Sequence, residues 1–436
     1  MKIHFYTLGC KVNQYESRAM AGALDKYGFE TVGCDEDADV YVINSCTVTA
    51  ESDRKTRQAV RRFRKNHPES IIVVTGCMTQ AIPETEALIP EADIVIGNHN
   101  NQKLAGLIMK FISEHKRIVD IEPHLPKDKF VGDTITDYPD RTRATVKIQD
   151  GCNRFCSYCL IPYARGRIRS KPFDILKEEL AALEKKGFHE VVLVGINLSS
   201  YGMDLEGENL TIVDAVKLAA SFEGIKRVRL GSLEPDHITD EVIKGLAETP
   251  KFCPQFHISL QSGCDATLRR MNRHYDSVEY EDLCNKLRHS FKDCTLTTDL
   301  MVGFPGETAE DFEISLNFMK KIKFEKVHVF PYSRRPGTPA AKMDNQIENA
   351  EKQRRAEIMI YEAEKIRKAF LEKQIGSVLE IIPEEYHGGC VQGYTANYIP
   401  VKIENFNENA VFDSLIKAEI TGVSEDFCVG IIPNNR

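Results

Sequence analysis

No stretch of this 436-residue chain stays apolar long enough to cross a bilayer, so a membrane span is not expected. The N-terminus passes from Met1 and Lys2 straight into a strand-like pattern, with no apolar signal core and no small-residue cleavage site; secretion is unsupported and a cytoplasmic location is expected. Positive charge is not in excess either. Lys and Arg number 57 against 65 Asp and Glu, a formal net charge of −8, so no global basic field exists and any polyanion must be gripped locally. No internal repeat or low-complexity tract stands out. What the chain does have is cysteine, 13 of them. A disulfide framework belongs to small secreted proteins, and in a reducing compartment this count points first to metal or redox chemistry.

The hydrophobic pattern divides the chain into three parts. In residues 1–138 the apolar runs KIHFYT, DVYVINS, IIVVTG and ADIVIG alternate with amphipathic segments, which predicts an open parallel α/β sheet. Thr49 reads as the N-cap of a helix through AESDRKTRQAVRRFRKN, with Pro68 just beyond its end. In residues 139–372 six further βα units, with strands ATVKI, EVVLVG, KRVRLG, QFHISL, LTTDLMVG and KVHVFPY, predict a partial (β/α)6 barrel followed by a packed linker helix in which Ile358, Ala363, Ile366 and Phe370 recur at helical spacing. Residues 373–436 alternate short runs with Gly and Asn turns, the pattern of a small β-barrel.

The sharpest signal is DGCNRFCSYC, which sets Cys152, Cys156 and Cys159 at CxxxCxxC spacing directly after the first barrel strand. Three thiolates are an incomplete set. On a four-iron cluster they leave one iron open to a substrate, whereas a closed structural zinc site normally supplies a fourth ligand, and none lies nearby in the sequence. A second trio is dispersed: Cys10 follows KIHFYTLG, Cys46 follows DVYVINS and Cys77 follows IIVVTG. Each stands just past a strand's carboxyl end, the edge at which ligands bind in open parallel sheets, so the three can converge. Gly9 and Gly76 beside them point to close backbone approach. The alternative is that each is a small buried hydrophobe at a strand end. Cys34, Cys253, Cys264, Cys284, Cys294, Cys390 and Cys428 show no ligand pattern and read as core or incidental thiols.

The CxxxCxxC motif, with Tyr158 before its last cysteine, resembles the signature of the radical S-adenosylmethionine enzymes. Together with the dispersed trio and the stretches IPYARGRIRS, HISLQSGCDATLRRMNRHY, MVGFPGET, HVFPYSRRPGTPA and GYTANYIPV, it resembles the methylthiotransferases over nearly the full chain. That resemblance implies two 4Fe-4S clusters. One, on Cys152, Cys156 and Cys159, binds S-adenosylmethionine and cleaves it to a 5'-deoxyadenosyl radical; the other, on Cys10, Cys46 and Cys77, carries or delivers sulfur. The C-terminal barrel is implied to be a TRAM domain that contacts RNA. TLGCKVNQYES is most similar to the branch that converts N6-threonylcarbamoyladenosine, beside the anticodon at tRNA position 37, to its 2-methylthio form. The sister substrates, isopentenyladenosine in tRNA and a ribosomal-protein aspartate, are the alternatives, and an iron-sulfur RNA-binding sensor is the non-enzymatic one. The implied partners are tRNA, an electron donor of flavodoxin or ferredoxin type and an unspecified sulfur source; a monomer is expected.

Strand ends facing the radical-forming cysteines offer S-adenosylmethionine contacts: Gly195 and Asn197, Ser232 and Glu234, Gln261 and Arg273, the last because its fork suits a carboxylate. Gly303 is expected to let adenine approach the backbone. For RNA, the helix after Thr49 offers Arg54, Lys55, Arg57, Arg61, Arg62, Arg64 and Lys65, and YARGRIRSK offers Arg165, Arg167, Arg169 and Lys171 to phosphates. The last domain is short of positive charge, so Tyr394 and Tyr398 are expected to supply aromatic contact.

Overall fold

A computed structural model of the chain describes residues 1–82, 84–131, 134–135, 142–207, 209–387, 389–404, 406, 415–433, with the side chain of His387 outside it. The expected boundary between the first two parts, at 138/139, lies outside the described residues.

The N-terminal sheet has six parallel strands in the order Glu30–Thr31, Lys2–Thr7, Val40–Ser45, Ile71–Gly76, Ile94–Ile96 and Ile118–Asp120. Every residue of Val40–Ser45 and Ile71–Gly76 is buried, as a strand covered on both faces requires. Helices Lys11–Asp25 and Leu104–Glu114 cover one face through Met20, Leu24, Leu104 and Ile108. Helix Ala50–Asn66 covers the other through Ala59, Val60 and Phe63, and Thr49 caps it by accepting the Ser52 N–H. The strand order reverses between Lys2–Thr7 and Val40–Ser45. In a doubly wound sheet that reversal opens a crevice at the carboxyl ends. The sequence pattern missed the two short edge strands, whose two or three residues carry too little periodicity.

The central domain is an arc of six parallel strands: Arg143–Lys147, Glu190–Val194, Arg227–Leu230, Gln255–Ile258, Thr295–Val302 and Lys326–Pro331. The third breaks at Gly231 and resumes as Ser232–Leu233, which pairs onward with Gln255–Ile258. Among the described residues the first and last strands do not pair, so the barrel is partial. Helix Lys11–Asp25 of the N-terminal domain enters this architecture: Val12 packs on Val192 and Val194, and Tyr15 joins the core of the second domain. Linker helix Asn349–Glu372 buries Ala363, rests Ile358 and Ile366 on the central core, and turns Phe370 toward the last domain. There, five strands close into a barrel. No helix among the described residues is long and apolar enough to cross a membrane.

Candidate active site

The loop carrying Cys152, Cys156 and Cys159 leaves the first barrel strand and is closed at its base by a two-stranded ribbon, Gln149–Asp150 against Arg169–Ser170. Its sulfurs are met by hydrogen-bond donors. The Arg154 N–H reaches the sulfur of Cys152 at 3.5 Å, the Ile161 N–H that of Cys159 at 3.4 Å, and the Arg273 guanidinium that of Cys156 at 3.2 Å. Burial pushes the Cys152 thiol up to about 11 and raises Cys159 further. Buried thiols ringed by donors are costly as thiolates in isolation and suited to being deprotonated by a metal.

The dispersed trio does converge. Cys10 caps helix Lys11–Asp25 at its N-terminus, Cys46 follows Val40–Ser45, and Cys77 opens the short helix after Ile71–Gly76. Two of these positions flank the topological reversal, which is why sequence-distant residues share one crevice. Asn13 organises it: its Nδ2 donates to the Leu8 and Ser45 carbonyls at 2.8 and 2.9 Å, and its Oδ1 faces the sulfurs of Cys10 and Cys77 at 3.9 and 3.8 Å. Gly9 has φ +105°, and a Cβ there would sit 2.9 Å from Cys46 Cβ; only glycine lets the Cys10 turn approach Cys46. Burial pushes Cys77 up to about 12 and raises Cys46.

The donor geometry discriminates between metals. A tetrahedral zinc at 2.3 Å from each sulfur needs sulfurs about 3.8 Å apart. Among the described residues neither cysteine trio closes within 4.8 Å; the one trio that does is His99, His124 and Asp128. Both cysteine sets therefore fit a multi-iron cluster better than a single ion, and such a cluster supplies one-electron chemistry at an iron without a protein ligand.

Arg165 joins the two sites. Helix Ile161–Arg165 begins two residues after Cys159, and at its end Arg165 donates through Nε to the sulfur of Cys77 at 3.2 Å, through Nη2 to Asn13 Oδ1 at 2.6 Å, and to Glu16. Lys147 Nζ bonds Glu16 and Asp150 at 2.7 and 2.6 Å, and Arg169 lies 3.4 Å from Asp150. Three cations and two carboxylates leave one positive charge, complementary to an anionic sulfur centre. Gln149, Glu16 and Lys147 were not legible as site residues. Their partners lie 131 or more residues away in the case of Lys147 and Arg165 with Glu16. Loop 332–339 fastens the opposite side: Arg335 bonds Thr47 and Asp53 at 2.6 and 2.5 Å.

This burial corrects the phosphate assignments. Arg165 is 1% exposed; Arg169 is buried beside Asp150; Lys171 is buried against Glu179 and Tyr15. Their charges are spent on internal carboxylates, and of the four cations of that stretch only Arg167 is exposed, lying over the Phe155 ring. In helix Ala50–Asn66, Arg54 pairs with Glu51, Arg61 with Glu91, and Arg64 with Asp93 and three backbone carbonyls, while Lys55 and Lys65 are exposed. Tyr394 and Tyr398 also differ from a free stacking platform. They stack on one another at 4.4 Å, and Arg143 and Arg229 of the central strands lie over them. Arg229 donates to the Ala396 and Thr395 carbonyls and Arg227 to that of Tyr394, so the pair docks the small barrel.

The expected S-adenosylmethionine contacts divide. Asn197 sits beside Cys152, held by its N–H on Gln149 Oε1 at 2.7 Å, and its Oδ1 is buried without a partner; Gln261, at φ 65°, leaves Oε1 in the same condition. Two orphaned buried acceptors, one beside Cys152 and one past the carboxyl end of Gln255–Ile258, fit a bound donor such as an ammonium or ribose. Ser232 is exposed and Gly195 packs on Gln149. Arg273 is already committed, to Glu234, Tyr275, the Ser259 carbonyl and Cys156. Gly303 has φ +70° and its close neighbour is Lys352, 2.4 Å from a would-be Cβ, while its N–H donates to Glu307, so helix packing by itself already requires glycine there.

Comparison with known proteins follows the same division. Residues 2–97 match the family described as "Uncharacterized protein family UPF0004", and residues 146–319 match the radical SAM superfamily. The chain is 38% identical to threonylcarbamoyladenosine tRNA methylthiotransferase MtaB of Bacillus subtilis (strain 168), over 96% of this chain and 93% of that protein. It is 36% identical to the Thermotoga maritima protein of that name, over 91% and 90%. It is 35% identical to tRNA-2-methylthio-N(6)-dimethylallyladenosine synthase of Pelotomaculum thermopropionicum, over 100% and 98%. Among solved structures, the radical S-adenosylmethionine methyltransferase TsrM of Kitasatospora setae superposes with a TM-score of 0.58 at 13% identity, covering 90% of this chain and 77% of that one, a likeness of fold. Full-length relatives at this identity, and two cysteine trios built at strand ends and joined through Arg165, place the chain in the radical S-adenosylmethionine methylthiotransferase family.

Proposed function

We propose that the chain installs a methylthio group on adenine C2 of N6-threonylcarbamoyladenosine, next to the anticodon at position 37 of tRNA, using two 4Fe-4S clusters and S-adenosylmethionine. The observation that carries this reading is the joined pair of trios: Cys152, Cys156 and Cys159 stand one short helix away from Cys77, so a C–H bond opened at one site lies close to sulfur held at the other. The protein's own part is to hold the sulfurs, supply N–H donors to them, and exclude water.

Lys11 favours the threonylcarbamoyl substituent over the isopentenyl one. It follows Cys10, is exposed, and has no carboxylate within ion-pair distance among the described residues, while Arg143 and Arg229 reinforce the positive potential around it. The threonylcarbamoyl group carries a carboxylate that such a site attracts, and the isopentenyl group carries no charge. The MtaB names of several relatives support the same substrate. The electron donor is a flavodoxin or ferredoxin type protein, and the chain acts as a monomer in the cytoplasm.

The deciding experiment is mass spectrometry of tRNA nucleosides from a deletion strain and its complement. Loss of 2-methylthio-N6-threonylcarbamoyladenosine with the unmodified threonylcarbamoyl nucleoside accumulating is expected. Retention of that nucleoside, with loss of the methylthio-isopentenyl one, would transfer the assignment to the sister substrate.

A further inference from the structure

His99, His124 and Asp128 form a group that shares no residue with either cysteine trio. His99 follows strand Ile94–Ile96, and His124 and Asp128 lie on the segment after strand Ile118–Asp120. Asp128 Oδ2 is 3.6 Å from His99 Nε2 and 3.6 Å from His124 Nδ1, and the three atoms lie within 4.8 Å of one another.

At His124 one ring nitrogen is bonded and the other is not. Its Nε2 faces the Ala164 carbonyl at 3.1 Å and Asn98 Oδ1 at 3.0 Å. A backbone carbonyl only accepts, so Nε2 carries the hydrogen and a neutral ring presents a bare lone pair at Nδ1. That side chain is 7% exposed, and Nδ1 has no hydrogen-bond partner. It is aimed at a carboxylate oxygen, so two lone pairs confront each other across 3.6 Å in a buried place. A metal ion between them relieves the clash by accepting both lone pairs. Tetrahedral ligands at 2.0–2.2 Å bring nitrogen and oxygen to about 3.4 Å apart, close to the separations found. The imidazole N–H donated to a carbonyl is also the outer bond that fixes a metal-binding histidine's tautomer.

We propose that His99 Nε2, His124 Nδ1 and Asp128 Oδ2 hold a single divalent transition-metal ion, zinc or iron(II) by the chemistry of two imidazoles and one carboxylate. The ion completes its shell with water from the adjoining cleft, which His99 and His124 line together with Asn98 and Lys129. Its role is a clasp. His124 packs against the Ala164–Gly166 turn, where a Cβ on Gly166 would lie 2.8 Å from His124 Cβ, and that turn carries Arg165 to Cys77. The ion thus ties the loop after Ile94–Ile96 and segment 122–128 of the N-terminal domain to the turn joining the two cysteine sites.

The test uses the anaerobically prepared protein with both clusters loaded, dialysed against zinc sulfate, and compares it with His99→Ala and Asp128→Asn. Elemental analysis should find one zinc per wild-type chain beyond its iron and none in either variant, with iron content equal in all three. Zinc X-ray absorption should show nitrogen and oxygen neighbours without sulfur. Zinc should also slow tryptic cleavage at exposed Lys127 and Lys129 in the wild type and leave the variants unchanged. Absence of bound zinc and of added iron(II) under the same dialysis would overturn the proposal, as would zinc with sulfur neighbours, or equal zinc in wild type and variants. Should His99→Ala lose iron and so be misfolded, Asp128→Asn, which preserves volume, decides alone.

Discussion

Replacing Arg165 by Met removes a side chain that reaches from the helix after Cys159 to the sulfur of Cys77. Its guanidinium is 1% exposed and is bonded to Glu16, Asn13 and the sulfur of Cys77. Met matches the stem but leaves Asn13 Oδ1 without its guanidinium and leaves Glu16 and Asp150 to share Lys147 and Arg169. Breaking one partner out of a buried charge set typically costs about 3–5 kcal/mol. The remaining two cations still balance two carboxylates, so the lower end, ~3 kcal/mol, is expected, a factor of about 150 in an opening equilibrium at 1.4 kcal/mol per tenfold. The assay is hydrogen exchange followed by mass spectrometry on the cluster-loaded protein, reading amides of helices Cys77–Ala81 and Ile161–Arg165, because a multidomain chain has no single unfolding free energy. Exchange there should rise about 100-fold while the amides of strand Thr295–Val302 are unchanged. Arg165→Lys keeps the charge, loses the fork, and should fall between. A rise below about tenfold in Arg165→Met would refute the view that this residue couples the domains.

Substituting Cys152, Cys156 and Cys159 by Ala should abolish reductive cleavage of S-adenosylmethionine, read as 5'-deoxyadenosine; its persistence would defeat the assignment. Substituting Cys10, Cys46 and Cys77 should lower iron by about half with cleavage retained, and an unchanged iron content would count against a second cluster. Lys11→Gln should raise KM for tRNA bearing threonylcarbamoyladenosine by about tenfold, the loss of roughly 1.4 kcal/mol of charge attraction, with no effect on cleavage of S-adenosylmethionine alone; an unaltered KM would remove Lys11 from substrate recognition. Arg229→Met, which deletes the contacts to Ala396, Thr395 and the Tyr398 ring, should free the C-terminal barrel and raise exchange in strand Cys390–Thr395 by at least tenfold; unchanged protection there would mean that Arg227 and Arg143 suffice.

Legibility followed range. Strands such as Ile71–Gly76 and Glu190–Val194 were readable because burial on both faces forces a nearly continuous apolar run, and Thr49 was readable because a cap is a local hydrogen bond. CxxxCxxC was readable because one loop carries all three ligands. The basic run YARGRIRSK was misleading for the opposite reason: an arginine aimed at water and one aimed at Glu16 have the same sequence, and only burial separates Arg167 from Arg165. Tyr394 and Tyr398 misled in the same way, since their partners Arg143 and Arg229 are more than 160 residues distant.

By itself, the sequence determined the three-part architecture, the six cysteines and the family, all carried by periodicity, spacing and motif, which are properties of neighbours along the chain. Tertiary structure alone decided that Cys10, Cys46 and Cys77 meet at the strand-order reversal, that Arg165 turns inward to Cys77 and Glu16, and that His99, His124 and Asp128 come within 4.8 Å of one another. Those are facts about groups brought together across the chain, where the low-dielectric interior makes each unpaired charge or lone pair costly and so fixes which partner it takes.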